Sequence, residues 1–141
     1  AVYLTTLLTA GGILIYKKYK RIQDEEPYYG RLRGSDRVFV KCLVEYVSEH
    51  IEEADLDVQK VAKALNVSRS RLFEKTKSIL GPSPAAIIRD IRFKRATDLI
   101  RSGEHSLSEV AYMSGFNDTH YFSTAFRQRF GMTPGEYKKR L

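Results

Sequence analysis

The sequence lacks the residues from which disulfides, metal centres and phosphate-binding loops are built. It has a single cysteine, Cys42, which excludes an intrachain disulfide. The position of Cys42 on an apolar helical face predicts that its side chain lies in the core. The three histidines, His50, His105 and His120, are far apart, and no Cys/His group has metal-ligand spacing. Since no glycine-rich phosphate loop is present either, no metal or cofactor is predicted.

The composition is that of a folded, strongly basic protein. The chain has 141 residues, enough for one ordinary domain or for two small ones that share a helix. Hydrophobic residues make up 43% of it, and the formal net charge is +7 with a pI of about 9.5. This excess favours a polyanionic partner but does not separate nucleic acid from a membrane surface.

The first sixteen residues carry no charge, and a basic cluster, residues 17–21, follows them directly. As a helix, residues 1–16 would span roughly 24 Å at about 1.5 Å per residue, whereas a bilayer core needs about 30 Å. The chain begins with alanine inside this run, so we expect a transmembrane helix cut short, with its basic flank in the cytoplasm. A buried helix or a strand of a missing domain is the alternative. A signal peptide is disfavoured because the charge follows the apolar run.

Residues 17–34 are predicted to be a charged linker, and no later segment alternates as a strand does. The rest is predicted to be all-α, with about seven helices. The first spans about residues 36–52, with an apolar face repeating every four residues, and the longest spans 84–102. Expected helix starts are at Ser35, Asp57, Ser68, Ser83, Ser106, Asp118 and Thr133. Expected core residues on the long helix are Ile87, Ile88, Ile91, Ala96, Leu99 and Ile100.

Two stretches, residues 61–73 and 110–122, repeat one another. Each opens with Val-Ala, and each has a turn-prone residue, Asn66 or Gly115, four places after the alanine. Each repeat is followed by Gly-x-Ser/Thr-Pro, at residues 81–84 and 131–134. The pattern predicts two tandem helix–turn–helix units, at about residues 57–81 and 106–131, on a basic chain. Such a pair indicates DNA reading and gene regulation.

Residues 36–141 resemble the DNA-binding domain of AraC/XylS-type bacterial transcription regulators. The specific residues are the run Tyr121-Phe-Ser-Thr-Ala-Phe126, then Phe130-Gly-Met-Thr-Pro134, with 88–96 matching the family's linker helix. The resemblance implies two helix–turn–helix subdomains joined by a long helix. Their recognition helices would enter successive major-groove faces of one duplex, roughly 10 bp apart.

In the first unit, the helix after Ser68 should bury Leu72, Thr76, Ile79 and Leu80. Ser70, Phe73 and Glu74 then share one outer stripe, because they are spaced i, i+3 and i+4, and they match the family's base-contacting positions. Glu74 can accept from a cytosine amino group, and Phe73 can pack on a thymine methyl. The phosphate contacts expected here are Ser68, Arg69, Arg71 and Lys77. The alternative interpretation makes Phe73 a core residue and Glu74 a solvated charge.

In the second unit, Phe122, Ala125, Phe126 and Phe130 should face inward. The family's base-contacting positions fall on Thr119, His120 and Thr124, while Asp118 is a helix cap. The expected phosphate contacts are Tyr121, Ser123 and Arg127. Additional basic residues, some of which we expect to add salt-dependent affinity, are Arg92, Lys94, Arg95, Lys138, Lys139 and Arg140.

The resemblance implies double-stranded promoter DNA as the partner, with RNA polymerase a further candidate and oligomers only through a missing N-terminal region. An apolar start before such a domain resembles membrane-tethered regulators of Bacteroidetes type, at the inner membrane with the DNA-binding domain in the cytoplasm. Without a span, the chain would be cytoplasmic.

An enzyme is disfavoured because Ser68 and Asp118 are already caps and nothing orients His120 as a base. An RNA-binding protein is disfavoured too, which leaves a membrane-anchored protein-interaction module without specific DNA binding as the alternative.

Overall fold

A computed structural model describes residues 34–141, and across that range the chain forms seven α-helices and no strand. They are α1 (Gly34–Glu49), α2 (Val58–Ala64), α3 (Arg69–Ile79), α4 (Pro84–Ser102), α5 (Leu107–Met113), α6 (Thr119–Phe130) and α7 (Pro134–Lys139). The all-α prediction is confirmed for these residues. The apolar segment 1–16 and linker residues 17–33 lie outside the described range. None of the seven helices is long and apolar enough to cross a bilayer.

Helix starts were the most predictable local feature. The side chains of Asp57, Ser68, Ser83, Ser106, Asp118 and Thr133 each accept a hydrogen bond from a backbone N–H in the first turn of their helix. At α5, the Ser106 hydroxyl accepts from the Glu109 N–H at 3.1 Å, while the Ser106 N–H donates to the Glu109 carboxylate at 3.1 Å. That bond holds the pKa of Glu109 below its usual range. Only Ser35 was wrong as a cap: it lies inside α1, which already includes Gly34.

The two predicted turn residues both adopt the left-handed backbone conformation. Asn66 has φ +58° between α2 and α3, and Gly115 has φ +89° between α5 and α6. Asparagine and glycine tolerate this region better than other residues do. These two positions therefore explain why each short helix is followed so closely by a second one.

The helices enclose two separate hydrophobic cores. The first is formed by α1, α2 and α3 together with Ile87 and Ile88 of α4. The second is largely aromatic, with Phe116, Phe122, Phe126, Phe130 and Tyr137 packed on the later part of α4. Helix α4 therefore packs against both cores: its first half contributes residues to the first core and its second half to the second core.

Cys42 is exposed, so the prediction that it belongs to the core was wrong. The buried face of α1 is formed by Phe39, Val40, Leu43, Val44 and Val47. Cys42 precedes Leu43 by one residue, which is a rotation of about 100° around the helix axis. That rotation turns the thiol away from the core.

Asp90 of α4 forms a largely buried ion pair with Arg129 of α6, with only 9% and 14% of the two side chains exposed. The Arg129 guanidinium also lies 5.4 Å from the centre of the Phe93 ring. Burial raises the pKa of the Asp90 carboxyl, and the adjacent guanidinium opposes that rise. The pair connects the first half of α4 to the helix that closes the second core.

Replacement of Asp90 by alanine should lower the free energy of unfolding by about 3–5 kcal/mol, because it leaves the Arg129 guanidinium buried without its partner. Urea unfolding followed by circular dichroism measures this. The control is Lys41→Ala, which removes a pair whose side chains are 69% and 55% exposed and should cost less than about 1 kcal/mol. Equal losses in the two variants would show that the Asp90–Arg129 pair does not stabilise the fold.

Candidate nucleic-acid interface

Helix α3 has one buried and one exposed face. Leu72 and Thr76 are fully buried in the first core. The opposite side carries Arg69, Ser70, Phe73, Glu74 and Lys77, all of them exposed. Phe73 keeps 49% of its surface open to solvent, so the interpretation of Phe73 as a core residue was wrong.

The exposed side chains of α3 are held only by weak local contacts. The Lys77 ammonium lies 5.9 Å from the centre of the Phe73 ring, and Arg71 pairs with Glu74 at 3.6 Å while both remain more than half exposed. Exposed pairs of this kind contribute little stability. The face therefore offers an apolar ring, a carboxylate and cations that a ligand can engage at small cost.

Helix α6 presents a similar face from the second unit. Phe122, Phe126 and Phe130 are buried, whereas the exposed residues include His120, Tyr121, Thr124 and Arg127. Thr119 and Ser123 are half-buried. The Thr124 hydroxyl donates to the His120 carbonyl at 3.1 Å, which leaves its oxygen free to accept.

Tyr121 extends from the first turn of α6 with 61% of its surface exposed. Its ring packs against Phe116, with ring centres 6.1 Å apart, and this contact fixes its direction.

At the start of α3, the Ser68 oxygen accepts from the Arg71 N–H at 3.1 Å, while its O–H remains a donor. The roles of Ser68 as cap and as predicted phosphate contact are therefore compatible.

Two basic residues of α4, Arg92 and Arg95, make long-range hydrogen bonds within the fold. Arg92 donates to the Glu53 carbonyl at 2.9 Å, and Arg95 donates to the Met113 carbonyl at 3.0 Å. Burial lowers the pKa of the Arg92 guanidinium. Sequence reasoning missed these bonds because each joins residues 18 or 39 positions apart, and no local pattern marks such partners.

The family described as "Helix-turn-helix domain" matches residues 61–140, more than half of the chain. The C-terminal domain of AraT, a response regulator from Geobacillus stearothermophilus, is 33% identical with a TM-score of 0.69, over 79% of this chain and 88% of that domain. The chain belongs to the AraC/XylS family of DNA-binding domains. This AraC-type domain is also similar to the DNA-binding domain of the global transcriptional factor AdpA, solved with a target DNA, at 26% identity and a TM-score of 0.64 over 70% of this chain and 87% of that one.

Two full-length relatives place the domain in different proteins. The transcriptional regulator MtrA of Neisseria gonorrhoeae is 29% identical over 90% of this chain and 42% of its own length. Histidine kinase P4 of Formosa agariphila is 32% identical over 87% of this chain and 9% of its own length. The chain thus spans less than half the length of these curated relatives.

Truncation of a side chain on the exposed face of α3 should change the free energy of unfolding little, whereas truncation on the buried face should lower it strongly. Phe73→Ala should change the free energy of unfolding by less than about 0.5 kcal/mol, because the ring is half exposed. Leu72→Ala, one residue earlier, should lower it by about 2–5 kcal/mol, because Leu72 is fully buried. Urea unfolding of both variants tests this, and a large loss for Phe73→Ala would place its ring in the core after all.

Proposed function

We propose that this chain is the DNA-reading part of a transcription regulator, which binds double-stranded DNA sequence-specifically through α3 and α6. The carrying observation is that both helices bury one face in a core and leave a polar face exposed directly after a helix and a tight turn. A helix with these two faces fits the major groove, where base edges carry a distinct donor and acceptor pattern. Membership of the family, and the likeness to a domain solved with target DNA, support the proposal.

The proposed contacts fall into two chemical classes. Base contacts are assigned to Ser70, Phe73, Glu74, Thr119, His120 and Thr124. Phosphate contacts are assigned to Ser68, Arg69, Arg71, Lys77, Tyr121, Ser123 and Arg127. The first class should determine sequence preference, and the second should determine affinity and its dependence on salt.

The proposed setting of the domain follows from the sequence. Residues 35–141 are assigned to the DNA-binding domain, 17–34 to a basic linker, and 1–16 to an apolar segment that enters the membrane, so the domain would work in the cytoplasm beside the inner membrane. RNA polymerase is proposed as a further partner at the promoter. The likeness to a histidine kinase, of which the chain spans 9%, supports a domain that forms one part of a larger protein.

Selection of random duplex DNA with residues 34–141 tests the proposal. We expect enrichment of a motif with two base blocks about 10 bp apart, because one duplex would receive both recognition helices. Enrichment of one block alone would mean that one unit reads and the other only grips the backbone. Binding without any enrichment, abolished at moderate salt, would contradict sequence-specific reading and favour the interaction-module alternative.

Substitutions on α3 should separate base reading from backbone binding. Ser70→Ala with Glu74→Ala should change which bases are preferred in one block, at about 1–3 kcal/mol of discrimination per good contact. The matched control is Lys77→Ala on the same face, which should weaken all sequences alike and reduce the salt slope by about 1. Titration of duplex variants at several salt concentrations measures both. An unchanged base preference in the folded double variant would remove the assignment of Ser70 and Glu74.

A further inference from the structure

Two units, α1–α3 with their connecting loops and α5–α7 with theirs, touch each other directly beside α4. The contact lies between the loop after α1 and the turn after α5. A Cβ added at Gly115 would lie 2.1 Å from the carbonyl oxygen of Ile51 and 2.6 Å from Nε of Arg92. No side chain fits in that space, so the backbone of the second unit packs against the backbone of the first.

Two arginines of α4 hold this contact together. Arg95 bonds to both units at once, since its Nε donates to the Met113 carbonyl at 3.0 Å and its Nη2 to the Glu52 carboxylate at 3.1 Å. Arg92 donates to the Glu53 carbonyl at 2.9 Å, and its guanidinium lies beside Gly115. We call this set of contacts the inter-unit clamp. On one side it consists of residues 51–53, and on the other of Arg92, Arg95, Met113 and Gly115.

The clamp adds a constraint that a shared helix alone does not supply. Ile88 belongs to the first core and Phe93 to the second, so only about one helical turn of α4 joins the two. Bending or twisting at that turn would swing α6 relative to α3. The contact between the loop after α1 and the turn after α5 is a second connection between the two units. It therefore limits that motion.

We infer that the inter-unit clamp sets the spacing and rotational register of the two base blocks that this chain accepts. The inference rests on the proposed function, because it concerns how both recognition helices reach one duplex. Moving one block by 1 bp rotates it by roughly 35° about the DNA axis. A clamped pair of helices cannot follow that rotation, whereas a hinged pair can. Arg92, Arg95 and Gly115 are positioning residues in this scheme.

The first test is the spacing tolerance of the full chain. Duplexes that carry the selected blocks at the native spacing, and with 1 bp added or removed, are titrated with wild type, Arg95→Ala and Glu52→Ala. Wild type should prefer its spacing by roughly tenfold or more, and both variants should reduce that preference. Glu52 distinguishes the clamp from a phosphate contact by Arg95, because removing a carboxylate cannot remove a contact to phosphate.

A glycine pair provides the matched control. Gly115 and Gly103 both have positive φ, at +89° and +70°, so alanine strains the backbone at either one. Only at Gly115 would the new Cβ meet the other unit, since Gly103 has nothing within 4 Å. Gly115→Ala should therefore relax the spacing preference and Gly103→Ala should not. Equal loss of affinity at every spacing, in all variants, would overturn the inference.

A measurement without DNA separates failure of the inference from failure of the proposed function. Spin labels are placed at Cys42, the sole and exposed thiol in α1, and at Gln128→Cys on the exposed side of α6. The distance distribution should be narrow in the wild-type background and broader with Arg95→Ala or Glu52→Ala. An equally narrow distribution in these variants would overturn the clamp, whatever DNA the chain binds. A broad distribution in wild type would overturn it too.

Discussion

The fold depends on one helix that serves two cores. Helix α4 contributes Ile87 and Ile88 to the first core and Phe93, Ala96 and Ile100 to the second. Each half of the chain is too small to bury a sizeable core alone, because small domains bury a smaller fraction of their surface. Because both cores pack against α4, each one buries more surface than it could alone. The position of each recognition helix then depends on the same nineteen-residue helix.

Local chemistry made the helix boundaries predictable, whereas long-range packing was not predictable. Caps such as Ser68 and Ser106 work within three residues, so the sequence shows both partners of each bond. Phe93 was missed because its neighbours, Phe116 in the turn after α5 and Phe130 at the end of α6, are distant in sequence. Cys42 was misplaced for a related reason: an apolar neighbourhood in sequence does not specify which side of a broad helical stripe meets the core.

The candidate interface was predictable as a face, although the roles of its residues stay proposals. Helical spacing alone put Ser70, Phe73 and Glu74 on one stripe, and the structure leaves all three exposed. What spacing could not provide was the local contacts, such as the Lys77 ammonium beside the Phe73 ring. The Phe73 ring is half open to water beside the Lys77 ammonium, so an apolar group of a ligand, such as a thymine methyl, can reach it. Its exposure therefore strengthens the case for a partner.

Basic charge in this chain divides between internal bonds and open surface. Arg92, Arg95 and Arg129 hydrogen-bond or pair within the described fold, to the Glu53 and Met113 carbonyls and to carboxylates. Such residues contribute to the net charge of +7, yet their guanidinium groups are already engaged by partners within the fold. The cations on the exposed faces of α3 and α6 are the ones that we propose contact phosphate. A count of Lys and Arg therefore indicates a polyanionic partner. Burial and hydrogen bonding decide which of these cations are exposed to such a partner and which are used inside the fold.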